Sequence, residues 1–388
     1  MSSMMRMLLG NFITVTGCML FLVLPAYLEH SGLSRSTIGL ADGCFWAVSV
    51  LIQPLLGPRL DRFGPKWFMV VGVSLMTLVA TLFYLAPLHP IGVLAMRATQ
   101  GAGFAVYLTS GWSWVAGNAL PARKGEFLGY FGVSSLMAGI AGPVIAELIG
   151  KDYHRAFLGA AIFLSLGALL LLTLPNDTKS KSHESHVSGN FLGLLLQPNM
   201  RSMAWGSLGF GLAVGSLFAF SAAYMTSLKM AGFSVVFGLI TLASGAARIW
   251  TARHMDRLGA VSFILPSLLL LAFGVLGLSS LAHVSGVTMP ILIVSGTAAG
   301  LGYGAVYPAL NGLAVERLPE SSRGVGLALV AASIDLGNAV GATAAGIVAE
   351  RLSYSTMYSI IGCLVLFAAG MFKISEFRGQ AKRGVADD

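Results

Sequence analysis

The sequence predicts an all-α polytopic membrane protein, with twelve transmembrane helices in two six-helix bundles related by a parallel repeat. Three observations carry this. Of 388 residues, 56% are hydrophobic and only 10% charged, more apolar surface than a soluble chain of this length could withdraw from water. The apolar residues fall in runs of about 20, the length that crosses ~30 Å of hydrocarbon at about 1.5 Å per residue. A short charged signature, Asp61-Arg62-Phe63-Gly64, returns 195 residues later as Asp256-Arg257-Leu258-Gly259.

Each run can be placed in order. The first, near 7–28, follows a short polar start, but about 22 residues is long for the apolar part of a signal peptide and LPAYLEH is a poor cleavage site, so it reads as a membrane helix. The second (36–56) carries Asp42, the third (67–86) follows the charged stretch Gly57–Lys66, and the fourth (91–116) carries Arg97. The fifth (127–149) contains Gly142-Pro143, and the sixth (156–174) leads into PNDTKSKSHESHVSGN. That segment is polar, Ser-rich and without apolar period, the composition of a flexible linker. The seventh (204–227) and eighth (233–251), with Arg248 near the end of the latter, precede the ninth (262–283) and tenth (288–314). The eleventh (325–349) holds Asp335 and the twelfth is 355–374. The expected organisation is an amino-terminal six-helix bundle 1–175, a cytoplasmic linker 176–197, a carboxy-terminal six-helix bundle 198–376 and a cytoplasmic tail 377–388.

The formal charge of +8 would point to nucleic acid in a soluble chain, but here its distribution decides. With the amino terminus inside, seventeen Lys and Arg fall on the inner side, five outside (Arg35, Lys151, Arg155, Lys229, Arg351) and two within spans (Arg97, Arg248). This is the positive-inside asymmetry, so the basicity reads as topology, with both termini cytoplasmic and no nucleic-acid partner. The expected setting is the bacterial inner membrane, as a monomer in the lipid bilayer. Cys18, Cys44 and Cys363 lie within apolar runs without CxxC spacing, so neither disulfides nor a metal site is expected. His183 and His186, three apart in the polar linker without a further ligand, read as solvated. GFGLAVG (209–215) and GLGYG (300–304) look like phosphate loops on paper, yet lie inside apolar spans with no preceding strand. They read as close helix packing, and no nucleotide or other cofactor is expected. No nucleophile, base and orienting group gather in one loop, so enzymatic chemistry is not expected.

Leu120-Pro121 also returns, 198 residues later, as Leu318-Pro319, and two landmarks at nearly one offset make the halves a parallel repeat, a plan that commonly holds substrate between the halves. The charged stretch itself, with Gly57, Asp61, Arg62, Gly64 and Lys66, resembles motif A of the major facilitator superfamily, roughly G-x-x-x-D-R-x-G-x-K. The glycines allow a tight turn, the carboxylate can sit at the positive end of a neighbouring helix, and the basic residues can clamp a cytoplasmic partner. The resemblance implies a latch on the cytoplasmic side. The plainer alternative is a positive-inside loop with no moving part. The second copy has Asp256, Arg257 and Gly259, with Ala252 in place of the first glycine. Family members often carry an acid before the Leu-Pro of the fourth-helix loop; the second half has Glu316 there and the first has Asn118, leaving Glu126 as a substitute partner for Arg62. GIAGPVIAE, with Gly139, Gly142 and Pro143, resembles motif C, a helix-packing motif associated with proton-driven exporters. It departs at Ala138 and at Ala146-Glu147, where Glu147 either reaches the membrane interface or adds an acid near the outer face.

The charges inside the spans are the candidate site. RATQGAG, from Arg97, resembles motif B, whose arginine faces the transport path. Asp42 and Arg97 each lie six residues from the outer ends of their helices, about 9 Å deep, and are expected to pair, either for coupling or only to order the helices. Asp335 lies ten residues into the eleventh run, about 15 Å, near the midplane. Intramembrane acids mark ion or proton pathways by default, and a carboxyl in a low dielectric can load and release protons near neutral pH; the alternative is a protonated acid bonded to a neighbour such as Asn338. Arg248 is expected to snorkel toward the cytoplasm. Gln100, Tyr107, Tyr307 and Asn311 are the candidate cavity residues; Tyr107 and Tyr307 share an AVY context. Together the motifs resemble a major facilitator permease of the drug and metabolite efflux branch. That resemblance implies a small-molecule substrate moved by alternating access in exchange for protons, with Asp335, Asp42 and Arg97 in the coupling. Uptake of an anionic metabolite or a siderophore by symport is the alternative, and a non-transporting receptor or assembly factor the alternative of another class; such a protein could lose Asp61 and Gly64 without penalty.

Overall fold

The computed structural model of the chain describes residues 2–86, 89–120, 123–150, 152–175, 198–230, 233–284, 288–318 and 323–384. Twelve long helices lie among the described residues, and their ends follow local chemistry. Helix α1 spans Ser3–His30, with Ser2 accepting a hydrogen bond from the Met5 amide at 3.2 Å and a short 3₁₀ turn, Leu20–Val23, inside it. Helix α2 is Arg35–Phe63, capped by Ser34, and α3 is Pro65–Leu85, where proline at the first helical position needs no amide partner. Helices α4 (Pro90–Asn118), α5 (Lys124–Ile149) and α6 (Tyr153–Leu172, capped by Asp152) complete the first half. The second half holds α7 (Pro198–Ser227), α8 (Phe233–Leu258), α9 (Val261–Ser279), α10 (Thr288–Arg317), α11 (Arg323–Arg351) and α12 (Tyr354–Gly384).

Eleven of these are long and apolar enough to cross a membrane, all but α4, where Arg97 and Gln100 dilute a 29-residue helix. The chain is an integral, multi-pass, all-α membrane protein. Several helices overrun the predicted spans, among them α2, α8 and α12 at their carboxyl ends. The charged stretch expected as a turn from Gly57 is helical as far as Phe63, and the chain reverses at Gly64, whose φ of +79° is the first conformation there that a side chain resists. The second copy reverses in the same way at Gly259, φ +74°. The linker 176–197 lies outside the described residues, as do His183 and His186.

Two compact units emerge: residues 1–183 with 219–241, and residues 184–218 with 242–388. The segment Ala219–Thr241, comprising the end of α7 and the start of α8, thus packs with the first unit. Inside the first unit α4 is central, lying against α2 and α3, and α1 packs on α5 and α6. In the second, α9 packs on α10 and α12.

Paired glycines bring the central helix of each unit against its neighbours, in opposite order in the two units. On α4, a side chain at Gly101 would collide with the Phe45 carbonyl of α2, and one at Gly103 would come within 2.7 Å of the Gly72 carbonyl of α3. On α10, Gly304 meets the Ser244 carbonyl of α8 in the same way, and Gly302 would stand 2.6 Å from the Leu271 amide of α9. Two glycines two residues apart face different neighbours in both units. Backbone contact of this kind replaces the hydrophobic driving force that lipid removes.

Candidate functional site

The first unit buries a complete charge pair. Arg97 on α4 is 7% exposed and Asp42 on α2 is 8% exposed. One Nη donates to the Asp42 carboxylate, the other to Gln100 Oε1 at 2.6 Å, and the guanidinium carbon lies 4.5 Å from the centre of the Phe45 ring. An arginine alone in the membrane costs about 2.5–3.5 kcal/mol on insertion scales. Here the ion pair, a side-chain amide and an aromatic face offset that cost. Gly101 explains why the partners meet: one turn beyond Arg97 the α2 and α4 backbones touch at Phe45.

Tyr107, two turns further along α4, is fully buried and donates to Asn11 Oδ1 at 2.7 Å. Asn11 in turn donates to Ser134 Oγ (2.7 Å) and Ser135 Oγ (2.8 Å) on α5. This satisfied network joins α1, α4 and α5. Its counterpart in sequence context, Tyr307 on α10, is 42% exposed. Asn311 donates to the Tyr307 carbonyl at 3.0 Å, one turn back on the same helix.

The second unit gathers a different cluster. Arg248, fifteen residues into α8, extends over the ring of Tyr303 on α10, 5.7 Å from its centre. Phe210 of α7 stacks with Tyr303 at 5.5 Å and Phe218 approaches at 6.4 Å. Tyr307 follows Tyr303 by one turn and is within electrostatic reach of both Arg248 and Asp335 of α11. Among the described residues Arg248 makes no hydrogen bond or ion pair, and its Nε is buried. Three helices thus supply one acid, one arginine and two tyrosines to this cluster, and a fourth, α7, supplies the phenylalanines against Tyr303. Sequence reasoning favoured Asp335 and Tyr307 and gave Tyr303 no more weight than the other aromatic residues that could line a cavity, whereas Tyr303 is the ring that meets Arg248, Phe210 and Phe218. The signal that could have found it is the four-residue step from Tyr303 to Tyr307, which sets both rings on one face of α10.

The residues around the two charged turns differ between copies. In the first, Lys66 Nζ is buried and donates to the Leu174 carbonyl at 2.6 Å, with Arg6 donating to the neighbouring Thr173 carbonyl at 2.5 Å, so two cations close the carboxyl end of α6. Arg62 is exposed and lies over Phe63. Glu126 does not serve Arg62: it pairs with Arg123 through two 2.7 Å bonds, because the two stand one turn apart, and accepts from Tyr130 at 2.8 Å. In the second copy Glu316 accepts from the Ala260 amide at 3.2 Å, capping the start of α9, and Arg257 is exposed. Gly57, Asp61 and Asp256 lie outside the described residues as regards their side chains.

On α5, Gly142 lets the helix approach Met19 and Thr16 of α1. Pro143 leaves the Gly139 carbonyl without its helical donor, and Thr241 Oγ1 of α8 stands 3.5 Å from that oxygen. Two turns on, Glu147 Oε2 accepts from the Ser234 amide in the first turn of α8 at 3.0 Å. Glu147 therefore caps a helix start instead of simply reaching the interface. Among the described residues no group of His, Cys, Asp and Glu is arranged to hold a metal ion.

These features have known relatives. The Major Facilitator Superfamily pattern matches residues 7–289 and 255–386. An uncharacterized MFS-type transporter of Methanocaldococcus jannaschii is 24% identical over 348 residues, 87% of this chain and 88% of that one. The MFS-type transporter SLC18B1 of Rattus norvegicus is 24% identical over 369 residues, 89% of this chain and 79% of that one. Among solved structures, the fold is similar to a mutant of the nucleoside transporter NupG (TM-score 0.82, 13% identity, covering 96% of this chain and 100% of that one). It is also similar to the D-xylose-proton symporter (TM-score 0.74, 14% identity, 95% of each chain). The chain is a transport protein rather than an enzyme, and it belongs to the Major Facilitator Superfamily.

Proposed function

We propose that this transporter moves a small organic solute by alternating access and exports it in exchange for protons across a bacterial inner membrane, working as a monomer with both termini in the cytoplasm. The observation that carries the proton coupling is Asp335, an acid twelve residues into the 29-residue α11, within electrostatic reach of Tyr307. An acid at that depth has little reason to be there except to exchange a proton or meet a charge. Asp42 and Arg97 then serve as the second half of the coupling, their pair opening as the proton arrives. Gln100, Tyr307 and Asn311 contribute to the solute path, with Tyr107 supporting it from within the α1–α4–α5 network. The inner latch is formed by Gly57, Asp61, Arg62, Gly64 and Lys66 in one copy and by Asp256, Arg257, Gly259 and Glu316 in the other. The GPVI stretch of α5, with Gly139, Gly142 and Pro143 close to α1 and α8, supports the efflux direction.

The test is intravesicular pH in proteoliposomes under an imposed proton gradient, with lipophilic cations, organic acids, sugars and iron chelates added in turn. A solute-triggered proton flux is expected in the native protein and absent in Asp335→Asn at equal incorporation. Full flux in that variant removes Asp335 from the coupling. The second reading, symport of an anionic metabolite or a siderophore, is favoured by Arg248, which makes no ion pair among the described residues. The sign of the flux separates the two.

A further inference from the structure

We infer that the second unit contains an organic-anion site in which Arg248 holds the carboxylate of the transported solute and Tyr303 holds Arg248. The inference rests on the reading of the chain as a solute transporter but not on its direction or coupling ion.

The two intramembrane arginines set the argument. Arg97 shows how this chain neutralises a guanidinium, with a carboxylate, a side-chain amide and a ring around it. Among the described residues Arg248 has only the ring. It lies over Tyr303, whose ring is also stacked by Phe210 at 5.5 Å. The charge is therefore positioned without being cancelled. Among the described residues no hydrogen bond or ion pair engages the Arg248 nitrogens. A planar guanidinium fork presented in this way matches a carboxylate in two parallel bonds. Tyr307, one turn away and 42% exposed, offers an aromatic surface for a flat apolar body attached to that carboxylate. Asp335, within electrostatic reach of Tyr307, disfavours a second negative charge nearby, which limits the solute to a monoanion.

The same chemistry could be met by an anionic lipid headgroup, so the experiment separates the two sources. Equilibrium binding of labelled benzoate is measured on the full chain in nanodiscs of phosphatidylcholine alone, with benzylammonium and benzyl alcohol as charge-reversed and uncharged controls. Saturable benzoate binding that neither control displaces is expected. Arg248→Gln should weaken it about tenfold or more, the loss of a charge-assisted bond, and Arg248→Lys should retain part of it. Asp335→Asn should bind benzoate at least as well as the native protein even though coupled flux is lost, so failure of the coupling and failure of this site read differently. The inference is overturned if benzoate does not bind saturably, if Arg248→Gln binds as the native protein does, or if benzylammonium competes as well as benzoate. It is likewise overturned if phosphatidylglycerol in the disc abolishes benzoate binding, which would assign the site to lipid. Should Arg248→Gln not yield a monodisperse protein, the Lys variant decides: unchanged affinity there removes the fork, and with it the site.

Discussion

Arg97 and Arg248 are the same residue type in the same kind of surroundings, inside membrane-spanning bundles, and the chain treats them oppositely. Arg97 is enclosed by Asp42, Gln100 and Phe45 with little solvent access, while Arg248 rests on Tyr303 and makes no ion pair among the described residues. The difference teaches that an intramembrane charge is not by itself a functional label. What distinguishes a paired charge from one available to a solute is whether the protein has already supplied the counter-charge.

The comparison breaks most sharply at Asp42. Removing one partner of a buried pair leaves the other uncompensated and costs about 3–5 kcal/mol. Asp42→Ala should therefore lower the thermal midpoint strongly or abolish expression, read by fluorescence-detected size exclusion over a temperature series. Arg248→Gln removes no such partner, and its midpoint should stay close to native, with a change below about 1 kcal/mol. If the two variants lose stability equally, Arg248 is as structurally paired as Arg97, and the distinction between them fails.

A smaller effect tests the repeat rather than the charges. Gly101→Ala and Gly304→Ala each place a methyl group against a carbonyl of the neighbouring helix, Phe45 in one unit and Ser244 in the other. Overpacking of this kind costs about 1–3 kcal/mol. Similar losses in both variants are expected from the shared geometry; a loss confined to Gly101→Ala would mean that only the first unit depends on it.

Much of the architecture could be read from sequence because lipid simplifies the problem. Apolar runs of fixed length, basic inner loops and the returning Asp-Arg-x-Gly lead to twelve helices and a repeat without any knowledge of packing. Depth arithmetic also puts Asp42 level with Arg97, since both lie six residues from the outer ends of helices that cross at Gly101. What could not be read was rotation. Whether Arg248 snorkels or lies on a tyrosine depends on which face α8 turns toward α10, and an apolar run carries little periodic signal to say so. The same applies to Glu147, whose cap on Ser234 joins residues 87 apart in sequence. Glu126 was legible in principle, for Arg123 precedes it by three residues and a neighbour one turn away outcompetes the distant Arg62.

The smallest effect concerns the two inner turns. Glu316 caps α9 by accepting from the Ala260 amide, while at the matching place Asn118 donates to the Trp114 carbonyl of its own helix. The reason lies 195 residues before Ala260: the first copy has Pro65, which has no amide hydrogen to satisfy. An acid at position 118 would have no donor to meet there, so the departure of this copy from the other is compensated locally. Glu316→Ala should then cost about 1 kcal/mol, the usual value of a lost helix cap, and Asn118→Ala close to nothing. The decisive version is a double-mutant cycle. Pro65→Ala creates an uncapped amide and should destabilise slightly, and Asn118→Glu in that background should recover about 0.5–1 kcal/mol that it does not confer on the native chain. A coupling indistinguishable from zero would mean that proline at position 65 and the missing acid at 118 are unrelated, and that the asymmetry between the copies has another cause.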